Sequence, residues 1–440
     1  MSTNPRTIAV IGAGYVGLVT AAGLASAGHR IQLVEKGPQR LAALRTGRIP
    51  LHEDGLQAAH DEAVAAGRLE IRATRPDEPP DLVVICVGTP IDDDGTSDLS
   101  QLQAALDDVA SLIAGGSILV IRSTLPVGTT RSLVAASAVP CTRTFTNPEF
   151  LRQGTALGDF RTPARAVVGS FPEADPDALA EVIDALIPEG VPTLVVDVTE
   201  AEIIKNGANA FLALRVSFAN ELAGLCERYG ADVDVVIDGI GRDPRTALAE
   251  MHPSFGFGGS CLPKELRTIA AAGEHVGLSM HVTAAASKAN ASHQQRFVER
   301  IAAAGGGLAG RRVAVLGLAF KAGTDDVRSS PAMNVVRALL AGGASVVAHD
   351  PQAAANATGE LPDLVVATTP IEALRDADIG VIATEWPEYG TLDWAAARAV
   401  MARPVIVDGR RLLDPVSMAR LGFDYRAVGS PDPQELVRAR

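Results

Sequence analysis

The chain has 440 residues, 47% of them hydrophobic and 21% charged, with 42 glycines and 27 prolines. This profile excludes disordered and fibrous classes, and the length suggests about three domains. A formal net charge of −13 argues against a broad nucleic-acid footprint, although a local basic pocket stays open. Four cysteines (Cys86, Cys141, Cys226 and Cys261) are scattered without a CxxC pair or a metal-ligand spacing. Free thiols, a reducing compartment and no bound metal are therefore expected. No apolar run reaches the roughly 18 residues of a membrane span, and the N-terminus has no basic, cleavable leader. A cytoplasmic protein without membrane partners is expected. Only five cations are lysine (Lys36, Lys205, Lys264, Lys288 and Lys321), against 34 arginines. Where arginine is the default, a retained lysine is a candidate for proton chemistry, because an ammonium can lose its proton when buried.

The first predicted element is the strand opening at Ile8, which enters the turn Gly12-Ala-Gly14-Tyr15-Val16-Gly17 and an Ala-rich helix to about Ala27. A second strand, Ile31–Glu35, ends in an acid. This strand, GxGxxG turn and helix form a dinucleotide fingerprint with its context. Gly12 permits the tight turn, Gly14 lets a pyrophosphate approach the backbone, and Gly17 lets the helix pack on the strand. Glu35 is placed to bind a ribose diol and to repel a 2′-phosphate, which favours NAD over NADP; the adjacent Lys36 weakens that inference slightly.

Further buried-type strands are predicted at Asp81–Val87, Ser117–Arg122 and Thr193–Asp197. The loops after the first two, Gly88-Thr89-Pro90 and Ser123-Thr124-Leu-Pro126, lie at strand C-terminal ends, where such sheets bind ligands. From about Glu200 to Gly230 no proline intervenes and Leu212, Val216, Ala219, Ala223 and Cys226 recur at helical spacing, predicting one long helix. Helical sequence continues to about Ala304, and Gly305-Gly-Gly307 reads as a linker. Arg311–Gly317 then repeats the pattern of the N-terminus. A helix near Ser330-Pro331 and strands at Ser345–Asp350, Ile379–Ala383 and Val405–Val407 complete a second α/β unit. Its first turn, Gly317-Leu-Ala-Phe-Lys321, lacks GxGxxG, which points to a different ligand. The expected fold is α/β: two Rossmann-like doubly wound domains (1–198 and 305–440) joined by a central helical domain with a long helix (199–304).

Phe255-Gly256-Phe257-Gly-Gly259-Ser-Cys261-Leu-Pro-Lys264-Glu265 is the segment richest in chemistry. A Gly-rich loop delivers a cysteine beside a lysine and a glutamate, and a nearby cation favours a nucleophilic thiolate. A buried structural cysteine is the competing reading.

Several motifs occur in order: GxGYVG; Cys86-Val-Gly-Thr-Pro90; Ser123-Thr-Leu-Pro-Val127; Asn147-Pro-Glu149-Phe150-Leu151; Lys205-Asn-Gly-Ala-Asn209-Ala-Phe; the Cys261 loop; Gly317–Lys321 with Asp325-Asp-Val-Arg328; and Asp408-Gly-Arg410. Over essentially its whole length the chain resembles the UDP-glucose/GDP-mannose dehydrogenase family. The resemblance implies oxidation of a sugar-nucleotide C6 alcohol to a carboxylate with two NAD⁺, through a Cys261 thiohemiacetal and thioester. UDP-glucose is the expected substrate. The alternatives are dTDP-glucose, UDP-N-acetylhexosamine, GDP-mannose, or a weakly catalytic sugar-nucleotide-binding protein.

The resemblance also implies roles. Lys205 would handle the proton and stabilise the C6 oxyanion, and Asn209, one helical turn on, would hold the oxygen or the water. Thr124, Glu149 and Glu265 complete the expected catalytic set. Gly12, Gly14, Tyr15, Val16, Gly17, Glu35, Arg40, Thr89, Thr124, Gln153, Lys264 and Arg328 are expected to bind the cofactor. Glu149, Phe150, Leu151, Lys205, Asn209, Phe255, Gly256, Phe257, Gly259, Lys321 and Arg410 should contact the sugar nucleotide. Arg245 would be lent across a homodimer, or a higher homo-oligomer, built on the long helix. Three departures from the family pattern stand out. Gln153 replaces a glutamate and cannot act as a base, Glu265 replaces an aspartate, and Thr-Ala rather than Ile-Gly follows Arg245.

Overall fold

A computed structural model describes residues 5–92, 95–246 and 251–430. The chain divides into two compact units, Met1–Ala208 with Arg267–Ser279, and Asn209–Leu266 with Met280–Arg440.

The first unit is built on eight strands: β1 (Thr7–Ile11), β2 (Arg30–Val34), β3 (Leu69–Arg72), β4 (Leu82–Ile85), β5 (Ile118–Ile121), β6 (Thr144–Thr146), β7 (Ala166–Ser170) and β8 (Thr193–Asp197). Their order is β3-β2-β1-β4-β5-β6-β7-β8. All pairs are parallel except β6 with β7. Side chains alternate across β1, so Ile8 and Val10 enter one core while Ala9 and Ile11 enter the other. Both faces are therefore covered, as a largely parallel sheet requires. The chain crosses between β1 and β4, which leaves the loops after these strands at a topological switch point.

The prediction of a buried strand at Thr193–Asp197 needs correction. Among the described residues β8 is an edge strand bonded to β7 alone, and Leu194 and Val195 are 45% and 46% exposed. Its apolar run marks a surface, not a centre.

The second unit carries six parallel strands in the order β11-β10-β9-β12-β13-β14. They are β9 (Arg312–Leu316), β10 (Ser345–His349), β11 (Val365–Val366), β12 (Ile379–Ile382), β13 (Val405–Asp408) and β14 (Asp424–Ala427). Their switch point lies between β9 and β12. Ser330 caps the helix Pro331–Ala341, where the Ser-Pro signal placed a helix start. Helical segments of the same unit pack into this core through Ala219, Ala223, Cys226, Phe297 and Ile301.

The long helix is present as Val198–Tyr229. The apolar residues that recur along it divide: Ala219, Ala223 and Cys226 are buried, whereas Leu212 is 40% exposed. The expected Gly305-Gly-Gly307 linker is partly a helix end, because the helix His281–Gly305 is closed by Gly306 in the left-handed region at φ 69°. Among the described residues no helix is long and apolar enough to cross a membrane.

Candidate functional site

In the first unit the dinucleotide turn has the geometry its glycines suggested. Gly12 has φ 97°, and its N–H bonds the Val34 carbonyl at 2.9 Å. A Cβ on Gly17 would stand 1.8 Å from the Gly12 carbonyl oxygen, so only glycine lets the helix Tyr15–Ser26 approach β1 so closely. Gly14 is different. Its φ is −71°, which any residue adopts, and a Cβ there would meet nothing within 4 Å. Neither backbone nor packing asks for glycine at this position. Among the described residues, no side-chain cap closes the helix that begins there. Open space in front of free helix N–H groups fits a dinucleotide pyrophosphate.

Glu35 is nearly buried, and its oxygens accept from Ala13 N (3.2 Å), Gly37 N (2.6 Å) and Arg40 (3.3 Å). The acid steadies the turn it was expected to serve. Lys36 turns away to Asp108 at 3.0 Å. Thr89 donates to the Thr124 carbonyl at 2.7 Å, and Ser123 to the Val87 carbonyl at 2.7 Å. The loops after β4 and β5 are thus tied together at the switch point.

Beside them Lys205 Nζ lies 3.1 Å from Glu149 Oε1, with side chains only 4% and 7% exposed. A proton can be held at Nζ in this pair, out of bulk water. The Phe150 ring lies 5.3 Å from Lys205 and 4.1 Å from the Arg165 guanidinium, and Glu149 also accepts from Leu151 N at 2.6 Å. The predicted residues Thr124, Glu149, Phe150, Leu151 and Lys205 thus belong to one neighbourhood.

Sequence reasoning missed the supports of this neighbourhood. Glu202 accepts from Gly128 N (2.6 Å), Thr130 N (2.8 Å) and Thr130 Oγ1 (2.6 Å), and burial raises its pKa. Asn206 donates to the Leu125 carbonyl at 2.8 Å. Together they hold the Thr124 loop against the helix carrying Lys205. Glu202 lies three residues before Lys205, and Asn206 lies four after Glu202 on the same helix face; that spacing was the available signal. Arg122 is buried, bonds Asn147 and lies 5.5 Å from the Phe160 ring centroid; burial lowers its pKa. The neighbouring Cys86 thiol is pushed up to about 12 by burial, which makes it inert.

In the second unit the Gly-rich loop is threaded through a fitted channel. Phe257 N bonds Asn290 Oδ1 at 2.9 Å, and Asn290 Nδ2 returns a bond to the Phe257 carbonyl at 3.0 Å. A Cβ on Gly258 would stand 2.1 Å from the Ser329 carbonyl, and one on Gly259 would stand 2.8 Å from Phe320. Gly256 and Gly259 have φ of 145° and 84°. The Gly-rich loop is therefore a packed one. Phe255 stacks on Phe297 at 4.4 Å.

Cys261 comes directly after this loop and is exposed, the only one of the four cysteines in that state. It precedes the helix Leu262–His275, and its carbonyl accepts from Glu265 N at 2.9 Å. The helix N-terminus and Arg328, which senses the Cys261 charge, put positive potential at the sulfur. The competing reading of Cys261 as a buried structural thiol fails on exposure. Glu265 is buried, and Lys264 is half-buried.

Arg410 donates to the Ala383 carbonyl at 2.8 Å and the Phe320 carbonyl at 3.0 Å, pairs with Glu385 at 3.2 Å, and stacks on Phe255 at 4.9 Å. It therefore braces the loop that carries Lys321. Arg328 pairs with Asp326, which raises its pKa. Arg245 is exposed and, among the described residues, pairs locally with Asp243. Asn209 is half-buried on the long helix, one turn after Lys205.

A dinucleotide turn, a buried Lys–Glu pair, an exposed cysteine before a helix N-terminus and a second nucleotide-type sheet define a class of dinucleotide-dependent oxidoreductases. Comparison with known proteins narrows the class. Three models of the UDP-glucose/GDP-mannose dehydrogenase family match: its NAD binding domain over residues 6–187, its central domain over 199–292, and its UDP binding domain over 314–415. A UDP-glucose 6-dehydrogenase of Pseudomonas aeruginosa is 37% identical, the match covering 96% of this chain and 97% of the relative. The structure of a UDP-glucose dehydrogenase from Pyrobaculum islandicum superposes with a TM-score of 0.86 at 36% identity, covering 97% and 98% of the two chains. A UDP-D-ManNAc dehydrogenase from Pyrococcus horikoshii gives 0.82 at 26% identity, covering 96% and 99%. The chain belongs to the UDP-glucose/GDP-mannose dehydrogenase family. It is an NAD-dependent enzyme.

Proposed function

We propose that the chain oxidises UDP-glucose to UDP-glucuronate in two steps. The observation that carries this reading is the exposed Cys261 at a helix N-terminus, in a chain whose relatives at 35–37% identity are named UDP-glucose 6-dehydrogenases. NAD⁺ supplies the hydride acceptor for each oxidation. In the first unit the open Gly14 turn receives the pyrophosphate, and Glu35 orients the adenosine ribose. Lys205 Nζ takes the C6 hydroxyl proton as the first hydride leaves carbon. Cys261 Sγ then adds to the aldehyde carbon, giving a thiohemiacetal that can lose a second hydride. Lys205 and Asn209 stabilise the oxyanions at C6. The resulting thioester is cleaved by water, with Glu149 and Glu265 as the acids available to accept its proton. Lys321, Arg410 and the Phe255–Gly259 loop serve the sugar nucleotide.

Two further points belong to this reading. Phe211, Phe218 and Leu225 are 59%, 50% and 54% exposed and recur every seven residues along the long helix. Such a seam fits a second copy of the chain, to which Arg245 would be lent. The three-part division at 198/199 and 304/305, and residence in a reducing cytoplasm, go with it.

The experiment counts NADH released per sugar over a panel of UDP-, dTDP- and GDP-sugars. Two NADH from UDP-glucose is the expected result. Two from another sugar nucleotide would move the substrate assignment, and binding without NADH would make the chain a binding protein. Cys261→Ala should stop the second oxidation; a variant still yielding two NADH would remove the covalent mechanism.

A further inference from the structure

The segment 147–156 carries Glu149 and Gln153, and a carboxylate outside every motif holds it in place. Glu53 is 6% exposed. Its Oε2 accepts from Gly154 N at 2.6 Å and from the Tyr15 hydroxyl, while its Oε1 accepts from Ala156 N at 2.7 Å. All three donors are neutral. Burying a carboxylate against neutral donors costs stability compared with an apolar residue, so its retention points to a geometric task.

The geometry shows that task. Gly154, at φ 85°, sits in the turn closed by Thr155 N to the Arg152 carbonyl at 3.0 Å. The N–H that Glu53 grips belongs to the peptide joining Gln153 to Gly154. Glu53 therefore fixes the backbone orientation at Gln153. Its third donor, Tyr15, is the first residue of the helix after the dinucleotide turn. Burial, Glu53 and Glu149 all raise the Tyr15 pKa, which places the hydroxyl within the field of Glu149 and keeps it a donor. One carboxylate thus joins the cofactor turn to the segment bearing Glu149 and Gln153.

We propose that Glu53, working through Tyr15 and the Gly154 peptide, is a positioning residue for the hydrolytic step. The inference rests on the function proposed above. In that step water adds to the thioester carbonyl and the C–S bond breaks. The carboxylate leaves, Cys261 recovers its thiol, and one proton is released. A carboxylate at 153 would be a second acid in this segment. With glutamine there, Glu149 is the acid of the segment assigned to that water, and its placing depends on how the segment is held. Glu53 holds it at Gly154 and Ala156.

The test uses the full chain with UDP-glucose and NAD⁺, comparing wild type, Glu53→Gln, Tyr15→Phe and the double variant. The fraction of Cys261 carrying the acyl group at steady state is read by mass spectrometry, NAD⁺ affinity by calorimetry, and stability by thermal melting. Glu53→Gln should lower kcat at least tenfold, raise the acyl-enzyme fraction, and change NAD⁺ affinity less than threefold. Tyr15→Phe, which keeps the ring, should do the same more weakly and add nothing in the double variant. Gln153→Glu should restore hydrolysis in the Glu53→Gln background, which a merely structural role for Glu53 would not allow. Acyl-enzyme fractions equal to wild type in both single variants would overturn the proposal. If Glu53→Gln does not fold, Tyr15→Phe decides. A wild type that forms no acyl-enzyme would instead refute the underlying function, and would do so before any variant is compared.

Discussion

The two sheets begin alike and diverge just after their first glycine. Gly12 and Gly317 both end a first strand with positive φ, 97° and 100°, and both donate to the end of the neighbouring strand, to Val34 at 2.9 Å and His349 at 2.7 Å. Two residues later the first turn has Gly14 facing open space. The second has Ala319, fully buried, with its N–H bonded to Asp350 at 3.0 Å and its carbonyl to Thr384 at 2.6 Å. The first turn runs straight into a helix. In the second, thirteen residues intervene before Pro331. The terminal acids differ in the same sense. Asp350 accepts from Leu318 N, Ala319 N, Trp386 Nε1, Gln352 N and Ala353 N, which fills its lone pairs. Glu35, on a longer arm, accepts from two N–H groups and Arg40. One strand-and-turn plan has been left open for a dinucleotide in the first unit and closed upon itself in the second. The closed form leaves the loop to present Lys321 from a fixed base.

The sharpest way to break this comparison is to remove both acids in turn. Asp350→Ala strands four buried donors and one part-buried donor, and should cost about 3–5 kcal/mol. Glu35→Ala frees one buried N–H group, at Ala13, and one half-buried, at Gly37, and should cost about 2 kcal/mol, with a larger loss of NAD⁺ affinity. Chemical denaturation followed by calorimetric NAD⁺ binding separates the two effects. Equal losses of stability would show that the two acids do the same work.

A smaller effect tests the open turn. Gly14→Ala meets neither strain nor neighbours, so its melting temperature should match wild type. NAD⁺ affinity should fall about tenfold, roughly 1.4 kcal/mol, because the methyl group would occupy the space a pyrophosphate needs. Unchanged affinity would mean that the opening at Gly14 is not the pyrophosphate site. Wild-type stability with weakened binding would establish that glycine is kept there for the ligand alone.

Much of this was legible in the sequence because its cause is local. Gly12 and Gly17 announce a turn and a close packing that only glycine permits, and Ser330-Pro331 announces a helix start. The lysine and cysteine proposed for catalysis were legible through motif and rarity. The long-range partners escaped. Glu53 meets Gly154 across a sequence separation of 101, and nothing near Leu51-His-Glu53 reports it. The closure of the second turn depends on Asp350 meeting Leu318 and Trp386, and the absence of GxGxxG showed only that something differed. β6 is only three residues long, β7 lacks alternation, and their pairing depends on the sheet around them. β8 was read as buried because an apolar edge and an apolar centre have the same composition.

The smallest expected effect concerns the residue just before each acid. In the first unit this is Val34; in the second it is His349, buried, with Nδ1 2.9 Å from the Tyr389 hydroxyl. Burial lowers the His349 pKa from its usual 6.5, against opposing pulls from Glu388 and Asp350. The folded state thus binds its proton less readily than the unfolded chain does. The contribution of neutral His349 is complete above about pH 6.5 and is lost as the pH falls below that value. His29 and His293, also lowered by burial, slope the same way, and His293 is depressed to about 4. Replacing His349 should therefore flatten the fall of melting temperature below pH 6.5 without abolishing it. His349→Gln is the variant to compare with wild type between pH 7 and 5, by melting at fixed ionic strength. An unchanged slope would place the acid sensitivity of the second unit elsewhere, with His293 as the remaining candidate.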